Sequence, residues 1–344
     1  MKGKTPSIIL ALVLVVITVA TVAFGNYQIN GKKEQTDLEE EQRYSWPLAT
    51  CSTEDTITHI FATAFAEEVN RLSDGKMKIT VYPQSTLGGD RELMESCKDG
   101  DIPFVVQSPA PQVSFMPQLC VFDAPCLFDN IQDARDAVDG EEFQKIIKGI
   151  YKDAGYNLLG MADQCFRVMT SSKEFTGFES FKGQKIRTME NSFHIQFWKQ
   201  MGANPTPMSF SEVYIGLQQG TIDAQENAYE IIVSAKLYEQ QKYVIYTNAV
   251  PDFTTLIVSD EFFQELSKEQ QEIIELAAKN AQEKARESAD ERKEQRQIQL
   301  EEAGMEFVEI DDETWAKMQE ACAPVYEAIR KQAGDELLDL YMKK

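Results

Sequence analysis

After residue 43, segments with the two-residue hydrophobic period of a strand alternate with segments that have the helical period. Residues 44–49 have the pattern of a strand, and apolar residues at helical spacing predict a helix from Thr56 to Leu72. Residues 78–82 alternate like a second strand, which stops at Pro83. A strand–helix–strand unit is typical of a parallel βαβ layer. A helix predicted from Arg91 to Lys98 and a strand from Ile102 to Val106 continue the alternation, so the predicted fold class is α/β.

A second strong pattern near the C-terminus predicts one very long helix. Ser267 and Gln270 form a capping-box pair, and neither Pro nor Gly follows until Gly304. A helix of roughly 37 residues would be about 55 Å long, which exceeds one ordinary domain. We therefore expect it to brace two domains. A coiled coil is less favoured, because the charged second half carries no sustained apolar heptad.

The N-terminal residues have the pattern of an export signal. Lys2 and Lys4 precede an apolar run from Ile8 to Phe24, as in secretory signals. The run is at the short limit for crossing a bilayer, so residues 1–25 are either a cleaved signal peptide or an uncleaved signal anchor. Residues 26–43 are polar and charged and predict a solvated tether. The rest of the chain is expected outside the cytoplasm, in the periplasm or anchored at the cell surface.

Composition excludes several classes of function. The chain has 344 residues, a net charge of −22 and a pI near 4.6, which argues against a nucleic-acid partner. Six cysteines are irregularly spaced, so both buried free thiols and one disulfide remain open. With only two histidines, a metal site has little support. The chain has no Gly-rich phosphate loop, H-E-x-x-H or G-x-S-x-G motif, so we predict no catalytic residue and no cofactor.

Two arginines are the first candidates for binding. Arg167 and Arg187 lie twenty residues apart, each beside a strand-like run, and two such residues can end neighbouring strands and point into one cleft. The planar fork of an arginine donates two parallel hydrogen bonds to a carboxylate. From residue type alone, two unrelated surface arginines are the alternative.

Several motifs resemble those of the DctP-type TRAP solute-binding proteins. The central ones are the stretch from Gly202 to Tyr214 (GANPTPMSFSEVY) and the stretch from Leu217 to Asn227 (LQQGTIDAQEN). Residues 82–92, 121–128, 185–187 and 238–243 add to the match, which extends over nearly the whole chain from about Tyr44. The family commonly has Asp-Gly-Gln-Glu-Asn-Pro where this chain has Ala224 and Ala228 at the Gly and Pro positions.

The resemblance implies a two-lobed, type II periplasmic-binding-protein-like fold that closes on its ligand. Crossing hinge strands and a long bracing helix would join lobe I (44–164 plus about 253–290) to lobe II (165–252 plus about 291–344). It also implies the ligand-binding residues. Arg187 is the principal carboxylate-binding arginine, Arg167 a second pocket arginine, Asn227 a pocket amide and Phe210 an aromatic wall. First-lobe polar contacts would come from Asp90, Gln107 and Ser108.

The expected ligand is a small organic acid. The segment after Arg187 resembles the sugar-acid branch of the family, which favours a uronate or aldonate ahead of a C4-dicarboxylate. Glu190 would accept hydrogen bonds from hydroxyl groups and repel a second carboxylate. Arg167 could instead serve a distal carboxylate. The expected protein partners are the small and large TRAP permease subunits, and membrane contact is expected only through them and the N-terminal segment. A binding protein of an ATP-driven importer and a ligand-sensing domain are the alternatives.

Overall fold

The computed structural model of the protein describes residues 43–343. The signal segment predicted at residues 1–25 and nearly all of the tether predicted at 26–43 lie outside the described residues. Elsewhere the predicted α/β class is confirmed. The strands in chain order are β1 (Tyr44–Ala49), β2 (Met77–Tyr82), β3 (Phe104–Gln107), β4 (Tyr156–Phe166), β5 (Val168–Ser171), β6 (Lys185–Thr188), β7 (Asn204–Pro207), β8 (Ala224–Asn227), β9 (Tyr243–Ile245), β10 (Pro251–Ser259) and β11 (Glu306–Val308).

The helices surround two sheets that these strands form. They are α1 (Ile57–Leu72), α2 (Asp90–Lys98), α3 (Pro109–Gln112), α4 (Ile131–Asp139), α5 (Glu141–Ala154), α6 (Ser192–Gln200), α7 (Val213–Gln218), α8 (Tyr229–Ser234), α9 (Asp260–Glu265), α10 (Lys268–Glu302), α11 (Asp312–Ala321), α12 (Ala323–Ala333) and α13 (Asp335–Tyr341). Short 3₁₀ helices cover Pro117–Asp123, Phe178–Phe181, Phe210–Glu212 and Leu237–Glu239.

The first sheet has the strand order β2-β1-β3-β10-β4. Its β1 pairs in parallel with β2 and β3, as the βαβ pattern predicted. The intervening α1 begins after Thr56, whose side chain caps it by accepting from the backbone N–H of His59. The late strand β10 lies between β3 and β4 and is antiparallel to both.

The second sheet has the order β11-β9-β5-β8-β6-β7. It begins where β4 leaves the first sheet, because β4 ends at Phe166 and β5 starts at Val168. Between them the backbone N–H of Arg167 donates to the carbonyl of Val250, just before β10 begins. The chain therefore passes between the sheets along two adjacent segments, which agrees with the predicted crossing strands.

The long helix α10 runs over 35 residues from Lys268 to Glu302. Ser267 and Gln270 form the predicted capping box, and Gly304 follows the helix with φ of 91°. Alanines at 277, 278, 281 and 285 are fully buried on the face that packs with Phe61 and Phe65 of α1. The same helix contacts β4 of the first sheet and α8, which follows β8 of the second. It braces both parts of the molecule, as its predicted length suggested.

The last three helices pack against elements from earlier in the chain. β11 joins the second sheet beside β9. The helix α12 packs against the 3₁₀ helix Pro117–Asp123 and against α6, while α13 packs against α4 and α5. The C-terminal segment therefore contacts elements that precede β4 as well as elements that follow it.

Candidate ligand-binding site

One cavity is lined by residues from both sheets and from the segments that cross between them. Its charged and amide-bearing lining residues are Asp90, Gln107, Gln164, Arg167, Arg187, Asn227 and Asp252, and its apolar lining residues are Met189, Phe210, Ile231 and Phe253.

Arg187 is the buried arginine of this cavity that has no ion-pair partner in the part of the chain that the structure describes. It comes from β6 and is 2% exposed. Its Nε and Nη2 donate to the carbonyl oxygen of Met208 at 3.1 and 2.9 Å. Within residues 43–343 no carboxylate forms an ion pair with it, whereas the other buried arginines, Arg135, Arg167 and Arg296, each have one. Burial, together with the nearby charge of Arg167, lowers the pKa of Arg187 to about 10.

Arg167 is saturated with partners. Its Nε and Nη2 donate to the carboxylate of Glu226, and its Nη1 donates to Asp252 Oδ1 at 2.7 Å. Its Nη2 also donates to the carbonyl oxygen of Glu226 at 2.6 Å and to Asn227 Oδ1 at 2.9 Å. Two carboxylates thus neutralise this arginine, and it holds the Asn227 amide in place at the end of β8.

A histidine extends this charge network away from the cavity. His194 of α6 contacts Asp123 Oδ1 through Nε2 at 2.9 Å, and its Nδ1 lies 3.5 Å from Glu226 Oε1. Burial opposes a charged imidazole, but the two carboxylates outweigh it and raise the pKa of His194 to about 9. Burial likewise opposes the charged form of Glu226, but Arg167 and His194 lower its pKa to about 2. Asn191 completes the link, since its Nδ2 donates to Asp123 Oδ2 at 2.8 Å.

Several polar atoms on the cavity wall have no protein partner. Both amide atoms of Gln107, Oε1 of Gln164 and Oγ1 of Thr254 are buried without a hydrogen bond to any residue in the described range. A buried polar atom left unpaired costs roughly 1–3 kcal/mol. The three side chains come from β3, β4 and β10, which are neighbours in the first sheet. They therefore form a polar wall that can hydrogen-bond a ligand.

Most residues predicted for the site lie on this cavity. Arg167, Arg187, Asn227, Phe210, Asp90, Gln107 and Ser108 all line it. Arg167 and Arg187 do not, however, lie on neighbouring strands, because β8 lies between β5 and β6.

Glu190 departs from the prediction. It is exposed and is not among the cavity-lining residues, because the chain turns after β6 and Asn191 begins the capping of α6. Its charge still acts on Arg187 and Asp90, so it lies near the cavity rather than in its wall.

Some cavity residues have no distinguishing sequence pattern. Asp252 and Thr254 lie on β10, which is buried throughout, and Gln164 lies in the buried second half of β4. Glu226 lies inside the Gln-Glu-Asn run, which is the sequence signal that points to it.

Within residues 43–343, no group of His, Cys, Asp and Glu side chains could hold a metal ion. The helices in that range include none with the length and apolar character needed to cross a membrane.

Two sheets joined by crossing strands, a bracing helix and a polar cavity between them define a two-lobed solute-binding protein. The profile of the bacterial extracellular solute-binding protein family 7, DctP, matches residues 48–332. The chain belongs to this family, whose members are solute receptors of TRAP transporters and not enzymes.

Individual relatives agree with the family assignment. A solute-binding protein of Verminephrobacter eiseniae is 33% identical over 276 residues, which are 80% of this chain and 82% of the relative. The sugar acid binding protein of Advenella mimigardefordensis, solved in complex with galactonate, is 30% identical with a TM-score of 0.84 and covers 88% of this chain and 97% of its own. A TRAP periplasmic solute-binding protein of Sulfurospirillum deleyianum with bound succinate is 27% identical with a TM-score of 0.82, over 87% and 98%.

Proposed function

We propose that the protein captures a sugar acid, an aldonate or uronate, and delivers it to the membrane subunits of a TRAP transporter. The acid's carboxylate binds Arg187, and its hydroxyl groups bind the polar wall of Gln107, Gln164 and Thr254. Ligand capture takes place outside the cytoplasm.

The observation that carries the proposal is that Arg187 forms no ion pair with any described residue. Its Nε and one N–H of Nη2 already donate to Met208. The end of the guanidinium, formed by Nη1 and the second N–H of Nη2, is left to take a carboxylate with two parallel bonds. A buried charge without a counter-ion is costly, and the lowered pKa of Arg187 reflects that cost. A ligand carboxylate relieves it.

The charges around the cavity favour a monoacid over a dicarboxylate. Arg167 lines the cavity but is neutralised by Glu226 and Asp252, so it offers little net charge to a second carboxylate. Asp90 adds a further acidic group, whose pKa is raised by burial. A carboxyl group on the wall exchanges hydrogen bonds with hydroxyl groups, and its charged form repels a dianion. The galactonate complex of the Advenella relative supports the sugar acid, and the succinate complex of the Sulfurospirillum relative keeps the dicarboxylate as the competing candidate.

Closure of two lobes on the ligand is part of the proposal, with lobe I at 44–164 plus about 253–290 and lobe II at 165–252 plus about 291–344. Strand membership supports this division, because β1 to β4 and β10 form one sheet and the remaining strands form the other. Within lobe II as proposed, α12 and α13 also contact elements of lobe I, namely the 3₁₀ helix Pro117–Asp123, α4 and α5.

Calorimetric titration of the purified protein tests the ligand class. The panel is galactonate, gluconate, glucuronate, malate and succinate, with neutral galactose as the control that lacks a carboxylate. We expect at least one sugar acid to bind at a single site with a Kd of about 1 μM or tighter. Malate, succinate and galactose should give no comparable heat. Tight binding of succinate or malate without a response to any sugar acid would overturn the proposed ligand.

A further inference from the structure

Two of the six cysteines lie side by side. Cys126 follows the 3₁₀ helix Pro117–Asp123, and Cys322 joins α11 to α12, 196 residues later. Their sulfur atoms are 3.9 Å apart. Cys322 is 1% exposed, and Cys126 is half-buried. By contrast, the thiols of Cys51, Cys97 and Cys120 point at backbone carbonyl oxygens.

The backbones that carry these two cysteines are held by independent hydrogen bonds. The backbone N–H of Cys126 donates to the carbonyl of Ala249 at 2.7 Å, and that of Cys322 donates to Met318 at 3.1 Å. Tyr326 Oη also donates to the carbonyl of Pro125 at 2.8 Å, which ties the two segments together beside the cysteines. The sulfur atoms need to approach by about 2 Å to reach the roughly 2.05 Å of a disulfide. The proposed bond takes this movement from rotation of the two cysteine side chains.

We propose that Cys126 and Cys322 form a disulfide bond when the chain folds outside the cytoplasm. The oxidant is a small-molecule disulfide or an oxidoreductase that carries a disulfide. One cysteine thiolate attacks the oxidant's disulfide and forms a mixed disulfide, and the second thiolate then displaces the oxidant's remaining thiol. The protein loses two hydrogen atoms, and the oxidant leaves reduced to two thiols.

The bond forms during folding rather than afterwards. The contact with Cys322, together with burial, raises the pKa of the Cys126 thiol. Because Cys322 is almost fully buried and the thiolate is the reactive form, exchange with an oxidant is slow in the folded protein, whereas an unfolded chain has accessible, ordinary thiols. The oxidant therefore has to be present while the chain folds.

The disulfide would fasten the C-terminal helices to the region where the chain crosses between the sheets. The backbone N–H of Cys126 donates a hydrogen bond to the carbonyl of Ala249, two residues before β10 begins, and Cys322 immediately precedes α12. The loop that the bond closes is long, and long loops give the larger stabilisation of the folded state. We expect the oxidised protein to unfold at a Tm higher by about 5 °C or more than the reduced protein.

Thiol counting after refolding tests the bond. The reduced, denatured full chain is refolded with a mixture of oxidised and reduced glutathione. It is then alkylated with iodoacetamide in denaturant without reductant and weighed by intact mass spectrometry. Of the six cysteines, four should be alkylated, and a proteolytic map should link Cys126 to Cys322. Six alkylated cysteines, or a link between any other pair, would overturn the proposal.

Matched serine variants distinguish the proposed Cys126–Cys322 pairing from other pairings by the number of cysteines that are alkylated. In Cys126→Ser or Cys322→Ser the partner becomes free, so five cysteines should be alkylated. In Cys97→Ser, a buried cysteine outside the pair, three should be alkylated. A count of three in Cys126→Ser would mean that the bond lies elsewhere and would contradict the proposal. Addition of reductant should lower the Tm of the refolded wild type but leave that of Cys126→Ser unchanged.

Discussion

His194 and Glu226 lie behind the cavity wall, and each fixes the charge of the other. The imidazole lies between Asp123 and Glu226, which stabilise its protonated form against burial and raise its pKa to about 9. Glu226 in turn binds Arg167, which holds the Asn227 side chain at the cavity. The orientation of a cavity amide therefore depends on a histidine that does not line the cavity itself.

This network predicts a specific pH dependence of stability. The folded state holds the His194 proton more tightly than the unfolded chain does. In the unfolded chain the pKa of this histidine is near 6.5. The stabilisation is complete below that pH and is lost as the pH rises through about 9, with a magnitude on the order of 3 kcal/mol. In His194→Gln the free energy of unfolding should fall well below that of the wild type at pH 6, and the difference should shrink by pH 9.

Denaturant unfolding at both pH values measures this difference. Asp123→Asn serves as the partner variant, because it removes the carboxylate that contacts Nε2 of His194. The double variant should lose less than the sum of the two single variants, since both act on one contact. Stability differences between wild type and His194→Gln that stay equal from pH 6 to pH 9 would show that this histidine is not held protonated.

The sequence predicted some site residues and not others, for physical reasons. Arg187 and Asn227 lie in distinctive motifs, so their place at the cavity could be anticipated. Gln164 and Thr254 lie on strands whose register with their neighbours decides which polar atoms remain unpaired, and no local pattern encodes that register. Glu190 was expected in the pocket but is exposed, because the turn before α6 directs the next residue, Asn191, inward instead.

At the scale of elements, local chemistry predicted the helices better than the sheets. The capping box at Ser267 and the glycine at 304 set the ends of α10 close to where the structure has them. The insertion of β10 between β3 and β4 had no local signal, because it depends on pairing between segments about 90 to 150 residues apart. The same is true of β8, which separates β6, the strand of Arg187, from β5, the strand that Arg167 immediately precedes.

Gly160 of β4 lies close to the long helix α10 and to α1. A Cβ atom at this position would lie 3.2 Å from Phe61 Cζ and 3.2 Å from Gln282 Oε1. The latter atom already accepts a hydrogen bond from the backbone N–H of Met161 at 2.7 Å, so it has little freedom to move. Gly160→Ala should therefore lower the free energy of unfolding by about 1–3 kcal/mol, as overpacked sites do.

At Gly149, an open position in a helix, we expect alanine to stabilise the protein instead. Gly149 lies inside α5, and a Cβ atom there would meet nothing within 4 Å. Gly149→Ala should raise the free energy of unfolding by roughly 0.5–1 kcal/mol, because alanine loses less conformational entropy in a helix. Both variants are measured by denaturant unfolding. If Gly160→Ala were as stable as Gly149→Ala, the close contact between α10 and β4 would not constrain the fold.

At the scale of the whole molecule, the protein is acidic, but the charge at the cavity differs from the total charge and favours an anion. The net charge is −22, yet the cavity holds a buried arginine, Arg187, that has no ion-pair partner among the described residues and lies where the two sheets meet. Arg187 comes from the second sheet, while Gln107 comes from the first, so a ligand that contacts both stabilises one arrangement of the sheets over others. Binding is therefore a property of the assembled fold.

The most direct measurement is calorimetric titration of Arg187 variants with the sugar acid that binds the wild type most tightly. Arg187→Ala should weaken binding at least about a hundredfold, because the ligand carboxylate loses its partner in a buried site. Arg187→Lys should also bind weakly, since a point charge cannot replace the two-bond fork. The control Arg91→Ala removes a positive charge next to Asp90 but outside the cavity wall, and it should bind like the wild type. Wild-type affinity in folded Arg187→Ala would contradict the account.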